Sequence, residues 1–254
     1  MSNWIFLRGL TRESGHWGAF VQQFEALVPG AHVTCIDTPG NGRLHDQRSP
    51  TTVPAMVEPC RTQLRELGLA PPYRLLAMSM GAMVALSWCA DQAHEIEACV
   101  LIHPSMKPFS KFYERLRPIN YPKLIQLMLP GRKAEATERA ILNMTTNLST
   151  DEVVPRWMAL RHIHPVSRAN MLRQLWAASR FRAPRLAGAV PTLVLASTAD
   201  RLVSSACAKA LSDHWMWPLQ LHASAGHDLP LDDGPWVALC VQQWLHSVRL
   251  GETT

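Results

Sequence analysis

The sequence predicts an α/β protein: a mostly parallel central sheet flanked by helices, with a helical segment inserted late in the chain. Three observations carry that expectation. Short apolar runs of strand length alternate with longer amphipathic helical patterns over the first hundred or so residues. The alternation stops after His103-Pro104 and resumes at Thr192. With 254 residues, 47% apolar and 18% charged, the chain is long enough for one large core.

Asn3 to Leu7 reads as the first strand, left through the loop Arg8-Gly9-Leu10. Trp17, Phe20, Val21, Phe24 and Leu27 then fall on one face of a helix. His32 to Ile36 forms the second strand, stopped by the turn formers Asp37-Thr38-Pro39-Gly40-Asn41-Gly42. A second helix carries Val53, Met56, Val57, Cys60, Leu64 and Leu67 and ends at Gly68. Tyr73 to Met78 is the third strand, Met80 to about Ala93 the next helix, and Ala98 to Ile102 the fourth strand. Helices joining successive strands imply a parallel sheet covered on both faces.

Residues 105–183 break the rhythm. No convincing strand occurs there, only short helical patterns punctuated by Pro108, Pro118, Pro122, Pro130, Pro155 and Pro165. Ser167 is placed to cap a helix carrying Met171, Leu172, Leu175 and Trp176. The expected division is therefore a core of residues 1–104 and 184–254 with a helical cap at 105–183. In the second part of the core, Thr192 to Ala196 and Leu219 to His222 read as strands. Ser205 to Trp215 and Trp236 to Val248 read as helices.

Composition excludes several classes. No apolar stretch approaches the roughly 18 residues of a membrane span, and Met1 to Arg8 lack the basic start and apolar segment of a signal peptide. Six scattered cysteines without a C-x-x-C spacing suggest core residues in a reducing, cytoplasmic compartment, with no disulfide and no metal site. The net charge of +5 is uneven: residues 105–185 carry fifteen basic residues against five acids, the remainder ten against fifteen. A solvated helical face accounts for this, and so does a docking surface for an anionic partner. Aromatics are not interleaved with the basic residues, which argues against nucleic acid.

The chemistry concentrates at Leu75-Leu76-Ala77-Met78-Ser79-Met80-Gly81, where an apolar strand delivers a serine onto a tight turn before a helix. A serine hydroxyl needs a base to take its proton, and the base needs a third group to hold it. Ligands of open α/β sheets bind at the C-terminal ends of strands. Ser79 follows the third strand, Asp200 the strand Thr192–Ala196, and His227 the strand Leu219–His222. The order Ser, Asp, His matches one known arrangement of such a triad.

These residues, with Arg8-Gly9-Leu10, Asp37 to Gly42, Ser197 to Val203 and Gly226-His227-Asp228-Leu229-Pro230, resemble the α/β-hydrolase superfamily. The resemblance is to its capped branch of carboxylesterases, carrier-protein methyl esterases, C–C hydrolases and cofactor-free haloperoxidase-like enzymes. It implies a serine hydrolase cleaving a carboxylic ester or thioester through an acyl-enzyme on Ser79, with His227 as base, Asp200 as its partner and no cofactor. It also implies an oxyanion hole of the Leu10 and Met80 N–H groups, with Met80 facing substrate. Two departures stand out: Ala77 replaces the first glycine of the usual Gly-x-Ser-x-Gly turn, and Arg8 replaces the usual histidine before Gly9.

Competing readings are weaker. Asp228 is adjacent to His227 and poorly placed to reach its ring. Asp232 and Asp233 look like N-terminal charges for the last helix, and Asp37 like a turn stabiliser. His162 and His164 are two apart, so a helix does not put them on one face. His16 suits a structural place or the rim of a site, and Met78 and Met83 the core. A serine at the elbow, rather than aspartate, argues against dehalogenase or epoxide hydrolase chemistry. Alternatives to a free ester are an acyl group on an acidic acyl carrier protein or on CoA, docked on the basic cap. A non-catalytic ligand receptor on the same fold is the third reading.

Overall fold

The computed structural model describes residues 2–128, 131, 133–148, 151–185 and 190–251. Its framework is a six-stranded, all-parallel sheet of β1 (Ser2–Leu7), β2 (Ala31–Ile36), β3 (Tyr73–Met78), β4 (Ile96–Ile102), β5 (Thr192–Ser197) and β6 (Leu219–His222). The strand order is β2-β1-β3-β4-β5-β6. Every strand expected from the sequence is present, with ends displaced by two residues at most.

Strand side chains alternate between two cores, as a period of two requires. Ile5, Leu7, Leu75, Ala77, Cys99, Leu101, Val194 and Ala196 face one cluster. There they meet α2 (Val57–Glu66), α3 (Met80–Asp91) and α9 (Ser205–Trp215), numbered in chain order. Trp4, Phe6, Leu76, Met78, Val100 and Leu195 face the other, against α1 (Phe20–Leu27) and α11 (Gly234–Leu250), which follows the short α10 (Leu229–Asp232). The larger of these side chains contribute about 1.5–3 kcal/mol each when fully buried. Helix α3 is apolar all round and almost wholly buried, because it packs on the sheet centre.

Two helical expectations change. The helix expected from Trp17 is divided into a 3-10 turn, Ser14–Trp17, and α1, because Gly18 sits between them in the left-handed region at φ 59°. The helix expected from Val53 likewise opens as a 3-10 turn at Pro54–Met56.

Between β4 and β5 lies the helical insertion: α4 (Phe112–Arg115), α5 (Tyr121–Met128), α6 (Ala134–Thr145), α7 (Val153–Ile163) and α8 (Arg168–Arg180). Pro130 falls outside the described residues. Ser167 caps α8, its hydroxyl accepting from Asn170 N–H. The buried face of α8 is not the apolar one read from the sequence. Asn170, Gln174 and Ala177 are buried, while Leu172 and Trp176 are about half exposed. The reason is what α8 packs against: polar backbone of the loops after β1 and β2. Gln174 accepts from Thr11 N–H and donates to Asn41 Oδ1 and Ser49 Oγ, and Asn170 accepts from Ser49 N–H.

Candidate active site

Ser79 sits between β3 and α3 at φ 57°, ψ −117°, a region that β-carbon sterics disfavour for any residue but glycine. Such a backbone costs about 1–3 kcal/mol and persists only where its surroundings impose it. Here Ser79 N–H donates to Ile102 O of the neighbouring strand at 2.9 Å. Gly81 permits the close approach of the next turn, since a Cβ there would lie 2.5 Å from Leu7 O and 2.6 Å from Arg8 O. The turn thus tolerates Ala77, a fully buried strand residue, but not a side chain at Gly81.

Asp200 is buried in the loop after β5, and both carboxylate oxygens are used. Oδ1 accepts from Leu202 N–H at 2.7 Å and Val203 N–H at 3.0 Å. Oδ2 lies 2.7 Å from His227 Nδ1. It also lies 2.8 Å from Nδ1 of a second buried histidine, His103. Burial opposes ionisation of Asp200, but the two imidazoles outweigh it and hold the carboxyl well below the usual carboxylate range.

Ser79 and His227 line one cavity of about 230 Å³ with Leu10 and Met78 below and Leu127, Met144 and Leu175 of the insertion above. Ser79 Oγ makes no hydrogen bond to His227 in this structure. Nucleophile–base contacts are often long until substrate binds. Of the loop N–H groups nearby, Thr11 N–H is taken by Gln174 and Arg12 N–H by Gly9 O. Among the described residues no turn or loop hydrogen bond uses Leu10 N–H or Met80 N–H.

Arg8 does not alter the cavity as a loose cation. Its guanidinium forms a bidentate pair with Asp228, at 3.0 and 2.6 Å, both side chains almost fully buried. The pair ties the loop after β1 to the residue following His227. Asp228 is thus no partner of the imidazole. The expectation for Asp233 is met: it caps α11 by accepting from Trp236 N–H. That for Asp232 is corrected: it accepts from Gly226 N–H, Asn147 N–H and the Thr146 hydroxyl, fastening the His227 loop to the end of α6. A position before a helix allows either role, and the nearby insertion decides it.

Asp37 stabilises its turn, accepting from Ser14 and Arg43 N–H. His162 is exposed, whereas His164 lies in the cavity wall with Nδ1 2.8 Å from Glu13 Oε2. His16 takes the structural place, buried against Trp157 in the cavity wall, and burial lowers its basicity well below the ordinary range. Met80 is a second correction: it is 1% exposed and packs into the core, and Met78 supplies the cavity wall instead. The first residue of α3 turns inward because the strained backbone at Ser79 aims the helix into the sheet.

His103, Asp200 and His227 are spaced closely enough to raise the question of a metal. The two nitrogens stand 2.7 and 2.8 Å from one carboxylate oxygen. Adjacent ligands of a tetrahedral zinc stand roughly 3.3 Å apart, given bonds near 2.0 Å. These are proton-sharing contacts. His103 was missed in the sequence although it ends β4, the same position relative to its strand that pointed to Ser79.

The sheet order, the helical insertion between β4 and β5, and the loops that carry Ser79, Asp200 and His227 define the α/β-hydrolase fold. Residues 4–232 match the family described as serine aminopeptidase, S33, and the chain belongs to that family. Among solved structures, BpoC from Mycobacterium tuberculosis H37Rv matches with TM-score 0.76 at 19% identity, covering 98% of this chain and 93% of its own. A thermophilic esterase from Thermogutta terrifontis matches with TM-score 0.73 at 19% identity, covering 98% and 90%. Est816, described as an N-acyl homoserine lactone degrading enzyme, matches with TM-score 0.68 at 18% identity, covering 96% and 93%. No curated protein matches the sequence.

Proposed function

We propose that the protein is a serine hydrolase that cleaves a carboxylic ester or thioester through an acyl-enzyme on Ser79. The observation that carries this reading is the buried Asp200–His227 contact of 2.7 Å opening, with the strained Ser79, onto one largely apolar cavity. His227 Nε2 takes the hydroxyl proton as Ser79 attacks the acyl carbon. Leu10 and Met80 N–H groups hold the oxyanion, each worth about 3–4 kcal/mol in the transition state. His227 then protonates the leaving group and activates water to release the acid, while Asp200 stabilises the imidazolium.

Residues 105–183 act as the cap over the acyl group. The relatives described as esterase and lactone-degrading enzyme agree with acyl–oxygen substrates. An aminopeptidase substrate fits this cavity less well, because a free α-ammonium group needs a carboxylate to receive it. The two acids of the cavity are already committed: Glu138 lies between Arg12 and Arg161, and Glu13 meets His164.

A second reading keeps the chemistry and changes the carrier. The insertion combines its excess of basic residues with exposed Phe112, Ile119 and Ile125, a surface suited to an acidic acyl carrier protein or CoA. All six cysteines are free, which suits a reducing, cytoplasmic compartment. No helix among the described residues is long and apolar enough to cross a membrane.

A panel of nitrophenyl esters, acyl thioesters and aminoacyl anilides, run on wild type and Ser79→Ala, tests the reading. Ester or thioester turnover that vanishes in Ser79→Ala is expected. Turnover equal in both proteins, or confined to the anilides, contradicts it. A carrier-linked acyl group cleaved faster than the free ester at low salt, with the gain lost at high salt, selects the second reading.

A further inference from the structure

Asp200 serves two histidines. His103 leaves β4 in the left-handed region at φ 49°, with its N–H bonded to Leu195 O at 2.9 Å. Its ring centroid is 4.9 Å from that of His227, at 38° to it. Both Nδ1 atoms converge on Asp200 Oδ2. His103 Nε2 is sealed in protein without a hydrogen-bond partner.

These contacts fix the proton positions. Both Nδ1 atoms must carry hydrogen for both contacts to a carboxylate to be attractive. His227 then presents an unprotonated Nε2, the form a general base requires. For His103 the remaining Nε2 is an acceptor facing no donor. Protonating it would bury an unpaired N–H on a cation, which is far more costly than an unpaired neutral acceptor. His103 is therefore a fixed neutral donor, and burial does lower its basicity against the pull of Asp200.

We propose that His103 is a positioning residue that shares Asp200 with His227, locking the carboxylate in place and restraining how basic His227 becomes. The inference rests on the triad reading above for its catalytic meaning, although its structural part does not need it. A carboxylate that gives part of its charge to His103 has less to give to His227. The His227 imidazolium is consequently held less strongly than an undivided Asp200 would hold it. The charged groups around the pair, among the described residues, are Asp200 itself, the Arg8–Asp228 pair, whose opposite charges largely cancel, Asp232, which accepts from Gly226 N–H beside His227, and Arg201, which follows Asp200 and donates to Thr146 O. Ile102, next to His103, also holds Ser79 N–H, so one short segment supports both Ser79 and Asp200.

The experiment is histidine-detected NMR titration of the whole protein, with pH profiles of kcat/KM measured in parallel. His103→Phe fills the space and removes the donor. His103→Asn returns an N–H near the Nδ1 position and tolerates the left-handed backbone. In His103→Phe the titration of His227 and the acid limb of kcat/KM should both move up by about 0.5–1 pH unit, a fraction of the roughly 1–2 units that a whole charge-assisted hydrogen bond represents, because the carboxylate keeps its other partners. In His103→Asn both should return to within a few tenths of a unit of wild type. In wild type, His103 should remain neutral and protonated at Nδ1 over the range in which His227 titrates.

Unchanged His227 titration in His103→Phe overturns the proposal. So does protonation of His103 in that range, which wild type alone reveals if the Phe variant does not fold. A shifted His227 titration without any Ser79-dependent turnover instead overturns the hydrolase reading and leaves the shared carboxylate standing.

Discussion

The floor and the roof of the cavity are built on different principles. The floor is the C-terminal edge of the sheet, where strand ends, a strained serine and buried ion pairs leave little freedom. The roof is a set of short helices that exposes Phe112, Ile119, Ile125 and Trp176 and is fastened by polar side chains as well as by a small apolar cluster around Leu142, Val154 and Trp157. Gln174 and Asn170 hold α8 to the loops after β1 and β2, and Asp232 holds the end of α6 to the His227 loop. A rigid floor can hold catalytic groups within a fraction of an ångström, whereas a polar-fastened roof can be re-shaped without disturbing them. On the proposed reading, chemistry belongs to the floor and selectivity to the roof.

The largest effect that would break this comparison lies in the floor. Asp200→Asn should lower kcat by about 10³–10⁴-fold, because the amide favours the wrong imidazole tautomer. A loss confined to KM would move Asp200 from chemistry to binding. Next comes the buried Arg8–Asp228 pair. Removing either partner leaves an uncompensated buried charge, and Arg8→Met or Asp228→Asn should each destabilise by about 3–5 kcal/mol in urea unfolding. The double variant Arg8→Met/Asp228→Asn should lose less than the sum of the two singles. Additive losses would mean that the two charges do not interact.

Roof contacts should matter differently. Gln174→Leu strands the partly buried Thr11 N–H and should cost about 1–3 kcal/mol. It should raise KM more than it lowers kcat, and the opposite split would place α8 in the chemistry. The smallest expected effect is a pH slope. His16 is held neutral by burial, so its folded pKa lies below the ordinary 6.5 of the unfolded chain. The unfolded state then binds more protons as pH falls through that value, and stability declines from pH 7 toward pH 5. The slope reaches at most about 1.4 kcal/mol per pH unit for one histidine. His16→Gln should flatten it, and an unchanged slope would assign the acid sensitivity to other groups.

The same division explains what the sequence discloses. Strands, helix α3, Ser79, Asp200 and His227 are legible because parallel βα units force apolar runs and tight turns into a fixed order. Gly81 is legible too, since close packing against Leu7 and Arg8 permits no side chain. The roof is opaque for a physical reason. Helix α8 has an apolar stripe, yet it packs polar loops and so buries Asn170 and Gln174 while exposing Trp176. Long-range partners are equally hidden. Arg8 and Asp228 are 220 residues apart, and nothing local in either segment announces the other. His103 was within reach of strand-end reasoning, but a histidine before a proline at the start of an irregular segment carries no periodic signal.

The central claim is that Ser79 is the nucleophile, activated by His227. Reaction with a fluorophosphonate, followed by intact-mass measurement and peptide mapping, tests it most directly. Wild type should gain one adduct, located on Ser79; Ser79→Ala should gain none, and His227→Ala should react at least about 10³-fold more slowly. No adduct on wild type, an adduct on another residue, or equal labelling of Ser79→Ala would contradict the account.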